Sequence, residues 1–90
     1  MPVLAFLYDN PDYTGQNLVI RASDGDLGGL TAAVSSLRIS GSGYATVYDQ
    51  PNYSGASRVF IPGSYSLIGT AWDNRISSIM LSDSSLDPYY

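Results

Sequence analysis

Side-chain oxygen is the main donor this chain can bring to chemistry. It contains no His, Cys, Lys or Glu, so every anionic side chain is one of eight Asp and every cationic one is one of four Arg. Carboxylate, amide and hydroxyl oxygens, together with backbone carbonyls, suit a hard cation such as calcium. Without Cys or His, thiolate and imidazole zinc sites cannot be built, and neither can the familiar nucleophile–base pairs. A two-carboxylate mechanism would need a substrate cleft that 90 residues scarcely supply, so an enzyme is not expected. The run Asp73-Asn74-Arg75-Ile76-Ser77-Ser78 places a carboxylate, an amide and two hydroxyls close together. Read alone, Asp-Asn is an ordinary polar turn. Asp24 and Asp26 read as part of a solvated loop rather than as ligands.

The net charge of −4 suits cations, although solubility accounts for it equally well. Four scattered arginines make no basic patch, so nucleic acid is not an expected partner. No segment reaches the roughly 20 apolar residues of a membrane span, and no membrane insertion is expected. Compartment and protein partner stay open, and a monomer is expected. Asn52-Tyr53-Ser54 forms a glycosylation triplet, but it lies inside a predicted hairpin and is discounted.

The elements that would position these donors come in duplicate. Tyr8-Asp-Asn-Pro-Asp-Tyr-Thr-Gly15 recurs as Tyr48-Asp-Gln-Pro-Asn-Tyr-Ser-Gly55, and each copy is followed downstream by a Ser-Ser pair, Ser35-Ser36 and Ser77-Ser78. Such units stack to share one core. Richness in Tyr, Ser, Val, Ile and Gly, with no Lys or Glu, favours strands over helices. Alternation predicts strands over 3–8, 17–21, 35–40, 44–48, 57–61 and 77–81. Leu4, Phe6 and Tyr8 share one face; Leu37 and Ile39 point inward with Arg38 outward. Turns are expected over 9–15 and 49–55. Loops are expected over 22–33, with at most one helical turn near Asp26-Leu27, and through Pro62-Gly63. Gly41-Ser42-Gly43 reads as the linker. The stretch 82–90 carries no clear pattern. The expected architecture is all-β, a sandwich of two similar units forming one domain over 1–90, with units at about 2–41 and 42–83 and a tail at 84–90.

The phrase Tyr-x-x-x-x-Tyr-x-Gly with its downstream Asp73-Asn74-Arg75-Ile76-Ser77-Ser78 resembles the βγ-crystallin superfamily, most closely its single-domain microbial and invertebrate members. The resemblance covers residues 3–82. It implies two Greek-key motifs packed as a sandwich, with Tyr8 paired to Tyr13 and Tyr48 to Tyr53 over each folded hairpin. It also implies a special backbone conformation at Gly15 and Gly55, and hydrogen bonds from Ser36 and Ser78 to the hairpins.

In calcium-binding members of that family, the six-residue phrase runs Asn or Asp twice, two variable residues, Ser or Thr, then Ser. Carried over, the second unit holds an intact site: the Asp49 carbonyl, the Asn74 side chain, the Arg75 carbonyl, Asp73 adding charge or orienting the loop, and Ser35 from the first unit. The first unit departs from the pattern, because Thr31-Ala32-Ala33-Val34-Ser35-Ser36 lacks the acidic or amide pair. It keeps the Asp9 and Ala33 carbonyls and Ser77, and is expected to be weak or empty. The resemblance thus implies a calcium-binding module with a mainly structural, stabilising role. The alternatives are a metal-free structural protein like the lens relatives and, ranked lower for want of disulfides, a small inhibitor or toxin. Trp72 is expected to pack in the core.

Overall fold

Alternating apolar residues in short, Gly-punctuated runs build seven strands. A computed structural model describes residues 3–82. The strands are β1 (Leu4–Tyr8), β2 (Asn17–Ile20), β3 (Ser36–Ser40), β4 (Tyr44–Gln50), β5 (Ser54–Phe60), β6 (Gly63–Ser66) and β7 (Ser78–Ser82), with one 3-10 turn at Gly28–Leu30. All pairings are antiparallel, in the orders β2-β1-β3-β6 and β5-β4-β7.

β6 belongs to the second unit by sequence, yet it pairs with β3 of the first, Ile39 opposite Gly63 and Ser36 opposite Ser66. In return the first unit reaches the other sheet through a bridge between Asp24 and Ile79. Each sheet is therefore completed by the other unit, as in paired Greek keys. Between the sheets lie Ala5, Leu7, Leu37 and Ile39 from one side and Ala45, Val47, Phe60 and Ile79 from the other. Leu30, Val34, Leu67 and Ile76, from outside the strands, join this core, and each large aliphatic buried contributes about 1.5–3 kcal/mol.

Leu4, Phe6 and Tyr8 share a face as expected; it is the outer, half-buried one, and Val3, Ala5 and Leu7 fill the core. Other sequence expectations are corrected here. The stretch from Gly63 is a strand rather than a loop: it lacks an apolar alternation because it is an edge, held by backbone pairing to β3 and by half-buried Tyr65. The turn over 49–55 is tighter than expected, because β4 runs on to Gln50 through a register shift and β5 starts at Ser54. The helical turn lies at Gly28–Leu30, two residues later than expected. The Asp24 and Asp26 carboxylates accept from the Asp26 and Gly28 backbone N–H groups and so shape that loop. Trp72 packs against the core as expected. The expected tail beyond Ser82 lies outside the described residues. Among the described residues no helix is long and apolar enough to cross a membrane.

Candidate metal centre

Two folded hairpins, β1–β2 and β4–β5, frame the candidate sites, and each is latched by the second Ser of its unit. Ser36 Oγ donates to the Asn10 carbonyl and accepts from Tyr13 N–H. Ser78 Oγ repeats both bonds with the Gln50 carbonyl at 2.7 Å and Tyr53 N–H at 3.0 Å. Both hydroxyls are fully buried, so losing either would strand a backbone donor and an acceptor. The tyrosine pairs stack edge to face over the hairpins, at 6.0 Å in both units. Gly15 (φ +86°) and Gly55 (φ +82°) take left-handed conformations, and a Cβ at either would overlap the Asp9 or Asp49 carboxylate beneath it.

The connections before β3 and β7 lie side by side with two-fold regularity. Asn74 N–H donates to the Val34 carbonyl at 3.0 Å, and Ala32 N–H donates to the Ile76 carbonyl at 2.9 Å. Ser35 N–H and Ser77 N–H reach the Tyr8 and Tyr48 carbonyls, each at 2.8 Å. Asn74 and Ala32 hold matching left-handed backbones, φ +59° and +58°. Asn tolerates that region through its short polar side chain, whereas Ala there carries strain of about 1–2 kcal/mol.

Side-chain chemistry differs where the backbone does not. In the second unit Ser35 Oγ, coming from the first, donates to Asn74 Oδ1 at 3.2 Å, so the two cross-unit oxygens expected to share a cation are adjacent. Among the described residues the Arg75 carbonyl accepts no hydrogen bond. Asp73 Oδ1 is buried with no partner among those residues, an orphaned acceptor of the kind that marks a strained or ion-binding place. These three observations fit a hard divalent cation.

The Asp49 side chain is otherwise engaged: Oδ1 accepts from Ala56 N–H at 2.9 Å and Oδ2 pairs with Arg75 Nη2 at 2.6 Å. Arg75 is thus turned onto the hairpin, also packing 5.8 Å from the Trp72 ring, and pairs its charge with the Asp49 carboxylate. In the first unit the residue matching Asn74 is Ala32, so buried Ser77 finds no amide, and Ala33 stands where Arg75 does. Asp9 Oδ1 is left buried and unpaired among the described residues.

No group of three or more Asp, Glu, His or Cys converges among the described residues. A cation held here would be met mostly by amide, hydroxyl and carbonyl oxygen, a donor set of low charge. The Arg75–Asp49 pair had no local sequence signal, since 26 residues separate its members. The strain at Ala32 could have been anticipated by placing Ala in a position its sibling gives to Asn.

Residues 7–60 match the family model of peptidase inhibitor family I36. Nothing matches among curated proteins. The solved structures of similar fold include a βγ-crystallin from an archaeon, 26% identical, covering 91% of this chain and 100% of that one with a TM-score of 0.82. A βγ-crystallin from Ciona intestinalis is 28% identical over 88% of this chain and 99% of its own, with a TM-score of 0.77. A βγ-crystallin domain from Flavobacterium johnsoniae is 30% identical over 89% and 93%, with a TM-score of 0.75.

Proposed function

The chain belongs to the βγ-crystallin superfamily and to peptidase inhibitor family I36, and from that premise we propose a calcium-binding β-sandwich module with a structural, stabilising role and no catalytic activity. The observation that carries this reading is the 3.2 Å contact between Ser35 Oγ of one unit and Asn74 Oδ1 of the other. Asn74 and Ser35 side chains with the Asp49 and Arg75 carbonyls would hold the ion, Asp73 would supply negative charge, and water would complete six to eight oxygens. The first site, Asp9 and Ala33 carbonyls with Ser77, would be weak or empty. An ion bridging Ser35 and Asn74 would tie the second unit's loop to the first unit. At ~100 times its dissociation constant it would add about 2.7 kcal/mol, a melting-temperature rise of roughly 10–20 °C for a domain this size. The test is the melting temperature of metal-stripped protein with calcium and with chelator. A rise that Asn74→Gly removes supports the reading. No rise in the unaltered chain leaves the metal-free structural alternative.

A second reading, inhibition of a peptidase, is favoured by the family match over residues 7–60. That span takes in most of the first unit and the β4–β5 hairpin, including Ser35 and Asp49, and stops before Asp73-Asn74. The missing disulfides, which ranked inhibition low at first, are no obstacle to a sandwich already closed by strand exchange. Stoichiometric inhibition of any member of a panel of purified peptidases would establish it. Undiminished hydrolysis across the panel would reject it.

A further inference from the structure

On the outer face of the sheet β2-β1-β3-β6, three side chains from neighbouring strands stand in one row: Phe6 opposite Arg38, and Arg38 opposite Ser64. The adjoining row, Tyr8 and Ser36, lies under the folded hairpin, whose Tyr13 closes one end of the face. What remains is a concavity of about 330 Å³ bounded by Phe6, Tyr8, Arg38, Ser40, Gly63 and Ser64. That is within the range of small-ligand sites.

Arg38 is the unusual member. Its guanidinium centre sits 4.4 Å from the Tyr13 ring centroid, which fixes its position while its N–H edge remains available. Among the described residues no carboxylate lies within ion-pair distance of it; the ion pair there belongs to Arg75 and Asp49. An exposed, positioned guanidinium beside aromatic walls and two hydroxyls has the donor geometry for a planar carboxylate taken two-pronged. At the matching place in the sibling sheet the cross-strand pair is Thr46 and Met80, and the arginine of that sheet, Arg58, lies over Phe60 instead. The duplication therefore breaks here in favour of a cation and an aromatic ring, where the fold itself requires neither.

We propose that this concavity binds a small monoanion in which a carboxylate is attached to a flat aromatic body. The carboxylate would pair with the Arg38 edge, flanked by Ser40 and Ser64 hydroxyls, and the ring would lie against Phe6. A doubly charged phosphate fits less well, because Arg38 is the sole cation lining the concavity and the chain carries a net charge of −4. The inference is independent of the metal reading.

The test is titration of the full chain with phenylacetate, in chelator, followed by amide nitrogen–proton NMR shifts. Expected are saturable shifts centred on Phe6, Arg38 and Ser64, with affinity at least tenfold weaker for 2-phenylethanol and for Arg38→Gln, since both remove the charged pair. Ser64→Asp, which sets a carboxylate beside Arg38 from the neighbouring strand, should abolish binding while the remaining spectrum stays folded. Absence of saturable shifts at tens of millimolar would overturn the proposal. So would equal binding of the alcohol, shifts centred on Thr46 and Met80, or unchanged affinity in folded Ser64→Asp.

Discussion

The two units share nearly one backbone and diverge in what that backbone presents. Both keep a left-handed Gly under the hairpin, an edge-to-face tyrosine pair and a buried Ser latch. At the loops before β3 and β7 the carbonyl and N–H pattern is again duplicated, but Asn74 faces Ser35 where Ala32 offers Ser77 nothing. Conversely, Asp49 is held by Arg75 and Ala56, while Asp9 Oδ1 has no partner among the described residues. The residues that hold the fold and those proposed to hold a cation are thus largely separate.

The largest expected effect probes the hairpins. Gly55→Ala combines a left-handed strain of about 1–2 kcal/mol with displacement of a carboxylate engaged in charge-assisted bonds, so a loss of about 2–4 kcal/mol is expected in denaturant midpoints. Gly15→Ala should cost less, because the carboxylate it displaces has fewer bonds to lose; equal losses would break the distinction drawn between Asp9 and Asp49. Next comes Ala32. Ala32→Gly should stabilise the metal-free protein by about 1 kcal/mol through release of the positive φ. Ala32→Asp should add a second calcium-binding event facing Ser77, visible as a second phase in titration. If Ala32→Asp leaves stoichiometry unchanged, the first unit lacks more than one side-chain oxygen. Smallest is Arg75→Gln: the pair is half exposed on the Arg side, so metal-free stability should fall by less than about 1 kcal/mol. Calcium affinity should rise several-fold as the Asp49 charge is freed, and weaker binding in Arg75→Gln would show that Arg75 supports the site instead of opposing it.

Much of this was legible in the chain because local rules govern it. Positive φ at Gly15 and Gly55, the tyrosine pairs and the Ser36 and Ser78 latches followed from an eight-residue phrase printed twice and its resemblance to a family. Inward Leu37 and Ile39 followed from period-two alternation. β6 was not legible: Gly63-Ser64-Tyr65-Ser66 has no apolar alternation, and its strand character comes from a partner in the other unit. Alternation put Leu4, Phe6 and Tyr8 on one face without saying which face of β1 turns inward, and it is Val3, Ala5 and Leu7 that fill the core. Within the candidate site, Ser35 Oγ and Asn74 Oδ1 lie 3.2 Å apart. The fate of the Asp49 carboxylate was not foreseen, because an ion pair between a strand end and a distant loop has no signature in spacing.

Calorimetric titration of metal-stripped protein with calcium, run in parallel on Ser35→Ala and Asn74→Gly, tests the cross-unit site most directly. The predicted result is one ion per unaltered chain, with binding lost or weakened at least tenfold in both variants although they lie in different units. A chain that takes up no calcium, or variants that titrate like the unaltered protein, would contradict it.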